Sequence, residues 1–250
     1  MEGTPGPLQR VYQGPQPGKA AGKFRQGNIH DMDLVLIRHG QVEAAQNGRF
    51  YGGIEVALSE LGQRQARAAA RFLRGLKPDG LWCSPLERAR FGAECVAAEL
   101  GLEAPQILPR LREIDRGRWV GRLKSEVLGE FPGDLEAHQA DPIGWRGHGG
   151  ESLGDLADRV HAIWDHLVDQ PTGLHVVVSH LFPTRCLIGR ATGLDVCAWR
   201  ELEIPTGSVS YLRRREAGWE CVFAGHEPGE REFSQVYPQD FPHSNPQSGI

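Results

Sequence analysis

Lysine is scarce in this sequence. It occurs only at positions 19, 23, 77 and 124 of a chain with 28 basic residues, so nearly every cation is an arginine. A GC-rich genome explains such a bias by itself. Phosphate handling also favours arginine, because the planar guanidinium grips oxyanions through two parallel hydrogen bonds. Net charge is small as well, at −4 over 250 residues. That gives no electrostatic case for a nucleic-acid or membrane surface as partner. No apolar run is long enough to span a bilayer, and the N-terminus lacks the apolar core of a signal peptide. Cysteine is limited to Cys83, Cys95, Cys186, Cys197 and Cys221, with no C-x-x-C pair. An odd, irregular set of this kind reads as reduced thiols, and the cytoplasm is the expected location. The histidines, His161 and His166 among them, show no ligand spacing, so neither a metal nor another cofactor is expected. There is no internal repeat.

The two ends look poorly suited to folding. Over residues 1–31, Pro5, Pro7, Pro15 and Pro17 alternate with glycines and apolar residues are few, so the segment cannot offset its ordering entropy. Methionine occurs only at Met1 and Met32. Translation is expected to start at Met32, with residues 1–31 a disordered leader that is not native. From residue 226 the chain again turns polar and proline-rich, and a loose tail is expected over 226–250.

Between these ends strand and helix signals alternate. The apolar run Leu34–Ile37 predicts a strand buried on both faces. Ser59 can N-cap a helix over 59–76 with Ala66, Ala69, Ala70 and Leu73 on one side. Residues 80–83 read as a strand. Ser84-Pro85-Leu86-Glu87 has capping-box spacing ahead of a helix through Leu100. A short strand near Ile107 precedes a glycine- and charge-rich stretch with one or two weak helices, and the part at about 116–150 reads as a lid-like excursion. Ser152 and Asp155 form a second capping box, opening a helix through Leu167. Residues 174–178 are a buried strand, followed by a helix to about Thr192. Short strands are expected at 201–204, 207–213 and 219–224, the last two paired. This alternation predicts a three-layer α/β/α domain over 32–225 with a mostly parallel central sheet.

Ligands in such folds bind beyond the C-terminal ends of the strands. Those ends carry Arg38-His39-Gly40, Ser84-Pro85 with Arg88 in the following helix, and Ser179-His180. Two arginines and two histidines around one crevice suit a dianionic phosphate. The arginines can clamp non-bridging oxygens and a histidine can attack phosphorus. Gly40 would let the backbone approach a ligand. Glu113, beside Arg112, Arg116 and Arg118, reads by itself as an ion-paired surface carboxylate, with Asp115 nearby as a competitor for any catalytic role.

Seven blocks in order then resemble a known family. They are Arg38-His39-Gly40, Gly48-Arg49-Phe50-Tyr51-Gly52, Leu58-Ser59-Glu60-Leu61-Gly62, Ser84 to Ala89, Leu111 to Trp119, Gly149-Gly150-Glu151-Ser152 and Val177-Val178-Ser179-His180. Over residues 32–224 the chain resembles the histidine phosphatase superfamily, in the branch related to cofactor-dependent phosphoglycerate mutase and including alpha-ribazole and broad-specificity phosphatases. The resemblance implies a phosphoglycerate mutase-like fold and a phosphohistidine formed on His39. It implies that Arg38, Arg88 and His180 hold the phosphoryl group, and that Glu113 is general acid and then general base. It adds Arg49, Tyr51, Gly52 and Leu181 to the substrate-binding residues. The implied activity is metal-independent hydrolysis of a small-molecule phosphate monoester, with a homodimer the commonest assembly for such enzymes.

The sequence departs from the family pattern at Val42 and Ala45, where threonine or serine and asparagine are usual. One phosphate donor is therefore missing, with Gln41, Gln46 and Asn47 as candidate replacements. Leu181 stands where glycine is usual, and Trp119-Val120-Gly121 replaces W-E-G. Two other functions stay open: a phosphoglycerate-type mutase, and a phosphoester-binding sensor or scaffold without turnover.

Overall fold

The computed structural model describes residues 31–43, 48–170 and 172–237. The expected leader and most of the expected C-terminal tail lie outside them, as do Ala45, Gln46 and Asn47. The elements are β1 (Met32–Arg38), α1 (Glu60–Phe72), β2 (Gly80–Cys83), α2 (Glu87–Leu100), β3 (Gln106–Ile107), α3 (Lys124–Glu130), α4 (Asp134–Ala140), α5 (Leu153–Val168), β4 (Gly173–Ser179), α6 (Leu181–Thr192), α7 (Val196–Trp199), β5 (Val209–Arg215), β6 (Gly218–His226) and α8 (Phe233–Val236). They build one sheet in the order β3-β2-β4-β1-β5-β6. β3, β2, β4 and β1 run parallel, and β5 turns back against β1.

The apolar run of β1 explains the three layers. Side chains alternate across a strand, so Leu34 and Leu36 join the core cluster that holds Leu156 and Val160 of α5 and Leu187 of α6. Val35 and Ile37 join the opposite cluster, with Ala69 and Phe72 of α1 and Ala93 and Val96 of α2. Helices thus cover both faces of the sheet. Ser59 caps α1 by accepting from the Gly62 N–H at 3.0 Å. Ser152 and Asp155 form the expected reciprocal box at the start of α5. Among the described residues no helix is long and apolar enough to cross a membrane.

Four local expectations need correction. Ser84 does not open a capping box: α2 starts at Glu87 with Leu86 at its N-cap and no side-chain cap. The Ser84 hydroxyl instead meets His180 Nε2 at 2.7 Å. Residues 201–204 form no strand; they are irregular chain behind α7, whose Ile204 carbonyl faces Arg38. The start of the expected loose tail is ordered: residues 226–237 finish β6 and form α8. Phe233 of α8 is fully buried against Phe72, Tyr211 and Phe223, burial that a count of polar residues cannot reveal. Gly40 serves close packing within the protein. A Cβ there would collide with the Gly62 carbonyl in α1, and one on Gly62 would collide with the Gln41 carbonyl. The glycines of two sequence blocks are thus a matched pair that lets the loop after β1 lie directly on α1.

Candidate active site

Strand register assembles the site. Arg38 at the end of β1 is paired with Ser179 at the end of β4, and Cys83 of β2 with Val178. His39 and His180 are each the next residue. Their rings meet edge to face with centroids 5.0 Å apart. The His39 N–H donates to the Ser179 carbonyl at 3.0 Å, which locks the two strand ends together.

Both histidines are buried, at 1% and 0% exposure. His39 Nδ1 lies 2.7 Å from the Gly40 carbonyl. A carbonyl can only accept, so Nδ1 carries the proton and Nε2 presents its lone pair. Burial first, then the positive charges of Arg88 and Arg38, hold the His39 pKa well below the usual histidine range. The same burial, with His39 and the two arginines, depresses His180. His39 therefore presents a neutral imidazole with an unprotonated Nε2. Cys83 lies on the adjacent strand end, but burial pushes its thiol up to about 11, so it offers no rival thiolate.

The arginines are held without being neutralised. Arg88, 1% exposed, donates to the Gly52 carbonyl at 2.8 Å and the Ile54 carbonyl at 2.7 Å. Its guanidinium sits 5.3 Å from the centre of the Tyr51 ring. Arg38 donates to the Ile204 carbonyl at 2.6 Å. Neither makes an ion pair among the described residues. Four buried nitrogens here, Arg38 Nε, His39 Nε2, Arg88 Nε and His180 Nδ1, have no hydrogen-bond partner among those residues. Leaving such groups unpaired costs about 1–3 kcal/mol apiece. Together they form a cluster with unused hydrogen-bonding capacity, of a kind that an oxyanion can satisfy.

Glu113 is not a surface carboxylate. It is 8% exposed, and its Oε1 accepts from the Ile114 and Phe182 N–H groups at 2.9 and 3.3 Å. Its Oε2 accepts from the Leu181 N–H at 3.1 Å. Leu181 and Phe182 open α6, whose N-cap His180 gives no side-chain cap, so Glu113 caps that helix from a distant segment. The Leu181 N–H is accordingly engaged by Glu113. Asp115 turns away and accepts from the Gly117 N–H at 2.8 Å.

The site residues named from sequence thus meet at one place, with one exception. Arg49 donates to the Gly121 carbonyl and pairs with Glu126 at 3.1 Å, which ties it to the excursion. Val42 is buried and bridges to Leu58, so the position where threonine or serine is usual carries packing. Gln41 accepts from the Ser59 hydroxyl at 3.0 Å. Ser84 was read from sequence as a helix cap at a strand end, not as a partner of His180, and Arg159 was not singled out. Ser84 fixes His180, and its place in the matched block was the available signal. Arg159 binds both oxygens of Glu151 and the Arg110 carbonyl at 2.6 Å, bracing the Glu113 segment. Among the described residues no group of three His, Cys, Asp or Glu side chains is arranged to hold a metal ion.

The family model for the histidine phosphatase superfamily (branch 1) matches residues 34–226. The chain belongs to this superfamily. It is 31% identical over 184 residues to phosphoserine phosphatase 1 of Hydrogenobacter thermophilus, covering 73% of this chain and 87% of that protein. It is 29% identical over 189 residues to the probable phosphoglycerate mutase GpmB of Salmonella paratyphi C, covering 75% and 87%. The solved structure of a mycobacterial glucosyl-3-phosphoglycerate phosphatase superposes with a TM-score of 0.70 at 29% identity, over 78% of this chain and 99% of that one. The superfamily membership and the phosphatase-named relatives place the chain among the phosphoric monoester hydrolases.

Proposed function

We propose that this superfamily member hydrolyses a small-molecule phosphate monoester without a metal ion, through a phosphohistidine on His39. The observation that carries this reading is the group of four unpartnered buried nitrogens around the His39 lone pair. Arg38, Arg88 and His180 take the non-bridging oxygens. Nε2 of His39 forms the bond to phosphorus as the ester P–O bond breaks, and Glu113 delivers a proton to the departing oxygen. Without that proton an alkoxide leaves poorly. Water then attacks the phosphohistidine, the P–N bond breaks, and the Glu113 carboxylate takes the water proton. His39 and inorganic phosphate are regenerated. Two steps of moderate difficulty replace one difficult step, and fixed positive charge needs little reorganisation as the phosphoryl group transfers. The protein acts in the cytoplasm, where its five unpaired thiols stay reduced.

The test is hydrolysis of p-nitrophenyl phosphate with EDTA present. His39→Ala should lower the rate on the order of 10³-fold or more, and a rapid quench of the wild type should trap an acid-labile phosphoenzyme. Equal rates for the two proteins would end the reading. The mutase-named relative favours one alternative, transfer of the phosphoryl group between hydroxyls of phosphoglycerate. Interconversion of 3- and 2-phosphoglycerate that needs a bisphosphate primer and outpaces phosphate release would favour it.

A further inference from the structure

Arg116 is unlike the other arginines around it. Arg118, Arg122, Arg146 and Arg159 each pair with a carboxylate, from Asp134, Glu130, Asp155 and Glu151. The Arg116 guanidinium makes no hydrogen bond or ion pair with any described residue, yet the residue is only 8% exposed. None of its nitrogens is both fully buried and unpartnered, so a largely buried cation keeps a free edge open to a ligand. Its observed contacts are ring faces, Phe182 at 4.7 Å and Phe50 at 5.9 Å.

Its position is informative. Phe182, whose ring carries Arg116, also gives Glu113 one of its N–H donors. Glu113 is the carboxylate that attracts Arg116 most strongly. Arg185 lies over the same ring at 5.4 Å, with its Nε on the Leu202 carbonyl, and Arg38 is its strongest charged neighbour. A cationic strip therefore runs from Arg38 through Arg185 to Arg116, past the carboxyl group that serves the departing oxygen. The phosphoryl group has Arg38, Arg88 and His180 and does not need Arg116.

We propose that Arg116, supported by Arg185, receives a second oxyanion carried on the alcohol portion of the substrate, a carboxylate or a further phosphate. The inference rests on the phosphatase reading and narrows it to esters whose alcohol is itself anionic. Arg116 would act as a specificity-determining residue, its donors satisfied on binding while Phe182 keeps water from its face.

Paired substrates test this on the full chain. 3-Phosphoglycerate and glycerol 3-phosphate differ only in carboxylate against hydroxymethyl. Fructose 1,6-bisphosphate and fructose 6-phosphate test a second phosphate. Wild-type kcat/KM should favour the doubly anionic member of at least one pair on the order of tenfold or more, as expected for a charge-assisted contact. Arg116→Gln should bring that ratio to near unity, and Arg116→Lys should retain part of it. Each ratio is taken on one preparation, so a general loss of folding or chemistry cancels. Should Arg116→Gln not fold, inhibition of wild-type p-nitrophenyl phosphate hydrolysis decides: D-glycerate should inhibit about tenfold more strongly than glycerol. No preference in either pair, a preference that Arg116→Gln keeps, or equal inhibition by the two alcohols would overturn the proposal. The phosphatase reading stands apart from these outcomes, because it depends on whether p-nitrophenyl phosphate hydrolysis is lost in His39→Ala.

Discussion

Arginine does two different jobs in two regions of this molecule. At the strand ends, Arg38 and Arg88 are held by backbone carbonyls. In the excursion at 116–150, Arg118, Arg122 and Arg146 are held by carboxylates. Both arrangements fix a guanidinium in place. A carbonyl orients the cation and leaves its charge available, whereas a carboxylate orients it and cancels the charge. Among the described residues, unneutralised charge is therefore kept at Arg38, Arg88 and Arg116, and is cancelled at the paired arginines of the excursion. The partner type, more than the arginine count, locates the functional cations.

The strongest challenge to this contrast is Arg88→Lys. A lysine keeps the charge but cannot span the Gly52 and Ile54 carbonyls while still facing phosphate. We expect kcat/KM for p-nitrophenyl phosphate to fall about 10²-fold. Activity within threefold of wild type would mean that charge alone suffices.

Acid comes next. His138, half-buried in the excursion, has its pKa lowered to about 4 by burial and then by Arg116. The unfolded chain takes up that proton near 6.5 and the folded chain only near 4. The associated stability is thus present above pH 6.5 and lost as pH falls through that window. Discounted for exposure, the loss is about 1–2 kcal/mol. His39 and His180, also lowered, add to it with the same sign. Urea midpoints between pH 7 and 4.5 should fall, and His138→Gln should flatten the slope. An unchanged slope in that variant would show that His138 does not set the acid response.

Arg146→Ala should matter least. Its pair with Asp155 is exposed on the arginine side. A cost of about 0.5 kcal/mol or less is expected in thermal or urea unfolding, with p-nitrophenyl phosphate turnover unaffected. A large loss of turnover would erase the distinction between the two regions.

The alternation of strands and helices was legible because β1, β4 and the faces of α1 and α5 carry their periodicity in the residues themselves. The residues of the candidate site were named by strand ends and matched blocks, and the fold brings most of them together. Their partnerships were less so. Glu113 next to three arginines looks like surface in one dimension, and only the fold brings it under α6. Ser84 has capping-box spacing, yet its hydroxyl is drawn to His180 by a strand register that local spacing does not encode. Residues 226–237 are poor in apolar side chains, but Phe233, with Val236 and Tyr237 beside it, packs into the cluster that holds Phe72 and Tyr211. The isolation of Arg116 is an absence of partners, and no pattern in the chain announces it.

The capping of α6 by Glu113 has a consequence of its own. The carboxyl group that gains and loses a proton in the proposed mechanism is also the acceptor for the first two amides of a helix. Protonation weakens an acceptor, so the opening turn of α6 loosens when Glu113 is acidic and tightens when it is ionised. The Leu181 and Phe182 amides would thus report the protonation of Glu113 in the proposed cycle. Their hydrogen exchange follows the state of a carboxyl group that carries no spectroscopic label.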